Sequence, residues 1–273
     1  ASNIFEIPMP DEFRGKYRGK GAGKKYFIEF EKIISKAKKA NKKISAMIVE
    51  PIISCGGQIE LPEKFLKKCK KILERENILL IVDEVQTGFG RVGEKFWGFQ
   101  LHDVIPDIVT LGKPMGNGHP IGAVVCTAEI SKKFDNGLEF FSSFGGNPVS
   151  CRIANEVIRE IDSRNLQKNA LKTGKYLISE LKKLAKKYSI IGNVRGRGLF
   201  IGLELVNQNL IPEMDKAIYL VNRMKELGVL MSNDGLDKNV IKIKPPIIFS
   251  IDDSKRLIML LDKVMAEDYM QMN

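Results

Sequence analysis

Residues 78–82 of this 273-residue chain form a continuous apolar run, Ile-Leu-Leu-Ile-Val. Such a run is too uniformly apolar for a strand with one solvated face, and it predicts a parallel strand covered by helices on both faces of its sheet. The preceding residues 61–77 support this prediction, because their apolar side chains recur at helical spacing opposite lysines. Further apolar runs at residues 45–50, 108–111 and 121–127 continue the alternation of strands and helices. We therefore expect an α/β sheet through about residue 130.

After Asn147-Pro148 the pattern becomes mainly helical. The later elements are predicted as helices at 149–161, 166–188, 213–227 and 252–265, and as strands at 190–205, 229–232 and 240–244. A chain of this length fits two ordinary domains. We expect residues 1–161 to belong to a mostly parallel-sheet large domain with helices on both faces, and residues 162–273 to form a small α+β domain.

The excess positive charge is local. Lys and Arg outnumber Asp and Glu by 44 to 33, and residues 14–43 alone hold twelve Lys or Arg against Glu29 and Glu31. A phosphate or nucleic-acid contact is one interpretation of this segment. However, its apolar residues recur at helical spacing: Phe27, Phe30, Ile33, Ile34 and Ala37. The lysines then form the solvated face of an amphipathic helix, and we expect no nucleic-acid partner.

The number and spacing of the cysteines and histidines indicate the cellular compartment of the protein and whether it binds a metal. The four cysteines are widely spaced without a C-x-x-C pair, and the chain has two histidines, so we expect no metal site. Isolated thiols in a chain of this size fit a reducing compartment, and we expect a cytoplasmic protein. The longest uncharged run, residues 114–128, is interrupted by glycine and proline, so we also expect no membrane span. Since the N-terminus has neither an initiator Met nor a secretory signal, we expect the chain to begin within a longer protein.

Polar residues follow three predicted strands: Glu50, Asp83 and Lys113. In an open parallel sheet the carboxyl ends of the strands share one edge, where ligands bind. Each residue alone has a simpler explanation, as a surface acid, a helix cap or a solvated strand end. Together, an acid and a lysine on neighbouring strand ends match the needs of pyridoxal phosphate, which requires an amine for a Schiff base and a carboxylate for its pyridine nitrogen.

Two segments around these residues carry a family resemblance. Leu80-Ile-Val-Asp-Glu-Val-Gln-Thr-Gly-Phe-Gly-Arg-Val-Gly93 is followed, after thirteen residues, by Asp107-Ile-Val-Thr-Leu-Gly-Lys-Pro-Met-Gly-Asn-Gly118. Both segments and their spacing resemble the signature of the class III aminotransferases, which are fold type I pyridoxal-phosphate enzymes. Further matches at residues 145–148, 194–200 and 244–246 extend the resemblance over nearly the whole chain.

The resemblance implies a role for each matching residue. Lys113 forms the Schiff base and later moves the substrate's α-proton, while Asp83 bonds the pyridine nitrogen. Gln86 contacts the phenolic oxygen of the cofactor. Ser143, where the family usually has Thr, binds the cofactor phosphate in the partner subunit's site, which implies a homodimer with shared active sites. Glu50 aligns with an acid that gates a substrate-binding arginine in some members.

Two departures from the family pattern affect these expectations. Lys242 stands in Ile241-Lys-Ile-Lys-Pro-Pro246 where many members have an arginine that clamps the α-carboxylate of an amino-acid substrate, and lysine lacks the guanidinium fork. This segment and Lys113-Pro-Met-Gly-Asn-Gly-His-Pro120 look most like a subgroup that contains ethanolamine-phosphate phospho-lyase. In addition, the family's glycine-rich phosphate turn and ring-stacking aromatic residue have no counterpart here, since Tyr17 and Tyr26 lie in basic sequence surroundings. The chain is thus expected to be a fragment that resembles the C-terminal portion of such an enzyme.

Three functions follow from the sequence. The leading hypothesis is a pyridoxal-phosphate-dependent aminotransferase that acts on a small-molecule amine or amino acid. The second is an amine-phosphate phospho-lyase on the same fold, in which phosphate leaves the carbon next to the α-carbon. The third, from a different class, is a catalytically silent interaction module that works through the basic residues 14–43 and predicts salt-dependent binding.

Overall fold

The computed structural model describes residues 3–272. Its strands, in chain order, are β1 (Ala46–Val49), β2 (Ile52–Ile53), β3 (Ile59–Glu60), β4 (Leu79–Asp83), β5 (Ile108–Leu111), β6 (Ala123–Cys126), β7 (Ile191–Arg197), β8 (Phe200–Leu205), β9 (Ser232–Asp234) and β10 (Val240–Ile243). Its α-helices are α1 (Ala22–Lys39), α2 (Phe65–Arg75), α3 (Ala128–Phe134), α4 (Pro148–Ser163), α5 (Leu166–Lys187), α6 (Met214–Glu226), α7 (Ile251–Met265) and α8 (Asp268–Gln271). Short 3-10 helices span Gly98–His102 and Lys113–Met115.

The chain packs as two compact units. The first consists of Leu61–Phe89, Trp97–Arg164 and the described part of Ala1–Pro51, and the second of Ile52–Glu60, Gly90–Phe96 and the described part of Asn165–Asn273. The division into domains at residue 161 remains a prediction. None of the described helices is both long and apolar enough to cross a membrane.

A four-stranded sheet of order β1-β4-β5-β6 organises the first unit. β1, β4 and β5 run parallel, and β6 pairs with β5 in the antiparallel direction. The α/β sheet predicted for this part of the chain is thus confirmed. Burial is deepest at Leu80 and Val82 of β4, which are fully inaccessible to solvent, whereas Ile48 of β1 is 65% exposed.

The basic segment contains the predicted amphipathic helix. Side chains three or four residues apart along α1 are buried: Ala22, Tyr26, Phe30, Ile34 and Ala37. Tyr26 has basic neighbours in the sequence but is itself part of the buried face. Its ring is fully buried, and its hydroxyl donates a hydrogen bond to the Asp11 carbonyl (3.0 Å) and accepts one from the Tyr17 backbone amide (3.0 Å). The lysines of α1 lie on the opposite, solvated face.

The second unit is built on an antiparallel sheet of order β7-β8-β10-β9, with a core that also includes residues of α5, α6 and α7. The single strand predicted at 190–205 is wrong, because Gly198 takes a φ of 54° and the chain reverses there into the hairpin of β7 and β8. A Cβ atom on Gly174 of α5 would lie 2.0 Å from the Gly198 carbonyl oxygen, so this helix approaches the hairpin turn closely only because it has glycine there. The strand predicted at 229–232 is also misplaced, since β9 begins at Ser232.

Candidate active site at the strand ends

The structure brings Glu50, Asp83 and Lys113 to the same edge of the first unit's sheet. The parallel register aligns Val49 with Val82, so Glu50 and Asp83 are the next residues on their strands. Asp83 in turn aligns with Thr110, and Lys113 follows Thr110 by three residues. Two acids and a lysine therefore stand at the carboxyl ends of three adjacent strands, where an open sheet of this kind binds its ligands.

The Lys113 backbone has a rare conformation. Its φ of 35° lies in the left-handed region, which residues with a Cβ atom seldom adopt. Lys113 opens the 3-10 helix directly after Gly112, and the residue is exposed. Two other exposed lysines, Lys64 and Lys238, also have positive φ, so the position of Lys113 at the strand end is what marks it as a candidate.

Asp83 and Gln86 lie at the end of β4 and in the turn that follows it. Both are half-buried. The Asp83 Oδ1 atom accepts a hydrogen bond from the Val85 backbone amide (2.9 Å), which fixes the orientation of the carboxylate. In the part of the chain that the structure describes, the other carboxylate oxygen has no hydrogen-bond partner, so it is available to a ligand.

Glu84, the residue after Asp83, is a buried acid that the sequence interpretation missed. Its side chain is fully inaccessible to solvent. Its Oε1 atom accepts from the Phe99 amide (2.7 Å), and its Oε2 atom accepts from the Gly98 amide (2.9 Å) and the Thr87 hydroxyl (2.7 Å). Burial raises the pKa of this carboxyl above its ordinary value, although the three donors oppose the shift. Glu84 thus fastens the turn that follows Asp83 to the 3-10 helix Gly98–His102.

The same 3-10 helix is also fastened to the end of β1. The His102 Nε2 atom lies 2.8 Å from the Pro51 carbonyl oxygen, and it donates the hydrogen bond because a carbonyl only accepts. Pro51 is buried and directly follows the half-buried Glu50. One short helix therefore fixes the ends of both β1 and β4. The acid pair Asp83-Glu84 directly after an apolar strand was the sequence signal for this arrangement.

Ser143 lies in the exposed segment between α3 and α4, away from regular structure. No hydrogen bond joins it to Asp83 or Lys113 among the residues described. Three phenylalanines around it are 74–85% exposed: Phe140, Phe141 and Phe144. An apolar exposed segment of this kind is typical of a contact surface.

Lys242 lies in the second unit, on β10. Its Nζ atom is 3.1 Å from the Asp234 Oδ1 atom of β9, and the Gln58 Nε2 atom donates to the other oxygen of Asp234 (2.8 Å). The ammonium group is thus already paired with an acid of its own unit.

Comparisons with known proteins show the family of this chain. A protein-family model described as aminotransferase class-III matches residues 1–265. A Drosophila melanogaster protein named alanine–glyoxylate aminotransferase 2-like is 44% identical over 265 residues, which cover 94% of this chain and 54% of that protein.

Solved structures show the same fold. A phospholyase from Arthrobacter in complex with phosphoethanolamine matches with a TM-score of 0.87 and 36% identity, over 90% of this chain and 59% of its own. An amine transaminase from an uncultivated Pseudomonas species, in its PLP-bound form, matches with a TM-score of 0.86 and 28% identity, over 94% and 60%. The predicted fold class is confirmed. The chain spans 54–60% of the length of these three proteins.

We expect the substitution Glu84→Gln to change how stability depends on pH. Because the folded state raises the pKa of Glu84 above 4.5, stabilisation from this group is complete below that pH and is lost as the pH rises through the raised pKa. Glutamine does not titrate. The wild type should therefore lose stability relative to the variant between about pH 4 and about pH 7.5. Urea denaturation at the two pH values would measure this change in the difference between their free energies of unfolding.

The control is Glu63→Gln, since the Glu63 side chain is 85% exposed. An exposed side chain contributes little to stability, so this substitution should change the free energy of unfolding by less than about 0.5 kcal/mol. A difference between Glu84→Gln and the wild type that stays constant with pH would contradict the interpretation of Glu84 as a titrating buried acid.

Proposed function

Because this chain belongs to the class-III aminotransferase family, we propose that it supplies the catalytic lysine, Lys113, and the ring-binding acid, Asp83, of a pyridoxal-phosphate-dependent aminotransferase. The observation that carries the proposal is the parallel register that brings both residues to the ends of the neighbouring strands β4 and β5. The proposed reaction moves an amino group between a small-molecule amine or amino acid and an oxo acid.

The residues at the strand ends fit the cofactor that the family uses. Lys113 offers an exposed amine, and Asp83 offers a carboxylate that is held at one oxygen by the Val85 amide and is open at the other. When bound, pyridoxal phosphate withdraws electrons from the substrate's α-carbon and so makes its proton easier to remove. Gln86 is assigned to the phenolic oxygen of the cofactor.

Lys113 and Asp83 have different tasks with protons. With the cofactor bound, the Lys113 Nζ atom would act as the general base that takes the proton from the substrate's α-carbon. The Asp83 carboxylate would hold a proton on the pyridine nitrogen, because an adjacent negative charge stabilises the protonated form. An exposed lysine and a half-buried acid suit this division, since the base must reach the substrate while the acid stays fixed.

We assign the Ser143 hydroxyl to the cofactor phosphate of the partner subunit, which makes the protein a homodimer with shared active sites. The exposed phenylalanines on both sides of Ser143 support a contact surface at this segment. Glu50, next to Asp83 at the sheet edge, is assigned to the substrate side of the site.

Phosphate elimination is the second candidate function, and Lys242 favours it. In the sequence, Lys242 occupies the position where many family members have the arginine that clamps an α-carboxylate. A compact ammonium attracts a phosphate as well as a carboxylate. The Arthrobacter phospholyase that binds phosphoethanolamine is also 36% identical to this chain.

We retain the cytoplasm as the proposed compartment. All four cysteines are free thiols in the structure. Free thiols persist where the environment is reducing.

The first experiment tests Asp83. We expect Asp83→Asn to lower the rate of amino transfer by about a hundredfold or more, because the neutral amide cannot stabilise a protonated pyridine. Asp103→Asn is the matched control, since the Asp103 carboxylate is exposed and pairs with Lys67 at 3.2 Å. Equal activity of the two variants would contradict the role of Asp83.

The second experiment separates the two reactions. An aminotransferase should move the amino group of an amino acid such as alanine to an oxo acid and release no phosphate from phosphoethanolamine. A phospho-lyase should convert phosphoethanolamine and water into acetaldehyde, ammonia and inorganic phosphate. We expect amino transfer, and release of phosphate and acetaldehyde in equal amounts would establish the alternative.

A further inference from the structure

A chain of hydrogen bonds joins the turn after Lys113 to the first turn of α4. The His119 Nε2 atom lies 2.7 Å from the Ser150 Oγ atom. The Asn147 Nδ2 atom donates to the same Oγ atom (2.9 Å) and to the Phe144 carbonyl (2.7 Å). We call the side chains of His119, Ser150 and Asn147 the strut.

At one end, the strut is coupled to Lys113 through consecutive tight turns. The Gly116 amide donates to the Lys113 carbonyl (3.2 Å), and the His119 amide donates to the Gly116 carbonyl (3.0 Å). A Cβ atom on Gly116 would lie 2.0 Å from the His119 carbonyl oxygen, so the turns are packed as tightly as a glycine permits. A shift of His119 is therefore transmitted to the backbone of Lys113.

At the other end, the strut is part of a helix cap. Asn147 is the N-cap of α4, and its Oδ1 atom accepts from the Ser150 amide (2.9 Å). Its Nδ2 bond to the Phe144 carbonyl holds the residue that follows Ser143. Because Ser150 is only 8% exposed, water does not readily replace these partners.

The Ser150 hydroxyl lies at the centre of the strut. Its Oγ atom accepts a hydrogen bond from Asn147 and lies within hydrogen-bond distance of the His119 Nε2 atom. A hydroxyl has one hydrogen to donate and two lone pairs with which to accept, so Ser150 bonds both neighbours whether the His119 Nε2 atom donates or accepts.

We propose that His119 is a positioning residue that, through the strut, fixes Lys113 relative to the segment of Ser143. The inference rests on the proposed function, which assigns Lys113 to the cofactor of its own subunit and Ser143 to the cofactor of the partner subunit. The strut thus links the amine of one active site to the phosphate contact of the other. Binding of phosphate at Ser143 is expected to stiffen the turn of Lys113 in the same chain.

Hydrogen exchange of the cofactor-free chain tests the link itself. Ser150→Ala removes only a hydroxyl in α4, yet it should increase exchange of the amides of residues 116–119 by about threefold to tenfold, the effect of losing one buried hydrogen bond. His119→Phe should increase exchange at residues 144–150 by a similar factor. His119→Gln keeps an acceptor near the Nε2 position and should stay close to the wild type. Ser163→Ala, at the other end of α4, is the matched control.

A spectroscopic measurement tests the positioning of Lys113. The borohydride-sensitive visible absorption of the chain with pyridoxal phosphate, after subtraction of the absorption of Lys113→Ala, gives the equilibrium constant for occupation of Lys113. His119→Phe and Ser150→Ala should each lower this constant by about threefold to tenfold, and the double variant should lower it no further. His119→Gln should restore it. If Ser150→Ala fails to fold, the comparison of His119→Phe with His119→Gln still tests the proposal.

The outcomes separate this inference from the proposed function. Suppose that the wild type shows no absorption but that the variants change hydrogen exchange as expected. The proposed cofactor site of this chain is then wrong, while the hydrogen-bonded link between residues 116–119 and α4 is supported. If the wild type shows the absorption and neither exchange nor occupation of Lys113 changes in the variants, the strut is overturned and the cofactor site stands. Additive effects of the two substitutions would also overturn it, because two independent contacts would then be involved.

Discussion

The parallel register of β1, β4 and β5 is the constraint on which the candidate site depends. Aligning Val49 with Val82 and Asp83 with Thr110 puts the residues that follow the three strands on one edge of the sheet. In a parallel sheet a slip of one residue would send each of these side chains to the opposite face. The buried side chains of β4 resist such a slip, so hydrophobic packing in the sheet determines where the candidate site lies.

The register brings the segments that follow the strands close to one another. Buried polar contacts then hold these segments in place. Glu84 binds two amides of the 3-10 helix Gly98–His102, and His102 of that helix binds the carbonyl of Pro51. On the other side of Lys113, His119 makes the corresponding contact to α4. Such bonds contribute modestly to stability, but breaking one leaves a buried group without a partner, which is why they hold a single geometry. Asp83 and Lys113 of the candidate site are therefore each followed by residues whose hydrogen bonds fasten the local backbone.

Much of this arrangement could be predicted from sequence, because strong local patterns coincided with the final structure. β5 was predicted with the bounds that it has, since an apolar run ends there at Gly112. The hairpin of β7 and β8 was missed although Gly198, with its φ of 54°, is a local turn signal, because apolar residues continue on both sides of the glycine. Burial of Tyr26 and Glu84 was missed because hydrogen-bond partners of both lie about fifteen residues away in sequence. Residues whose burial comes from distant segments were thus ones that the local pattern could not place.

We expect pyridoxal phosphate to become attached to Lys113, at the end of β5. The chain offers many competing amines, since residues 14–43 alone hold ten lysines. Incubation with pyridoxal phosphate, reduction with borohydride, digestion and mass spectrometry of the peptides would locate the attached group. We expect one dominant modified peptide, with the group on Lys113. Modification spread over the lysines of α1, or none at Lys113, would contradict it.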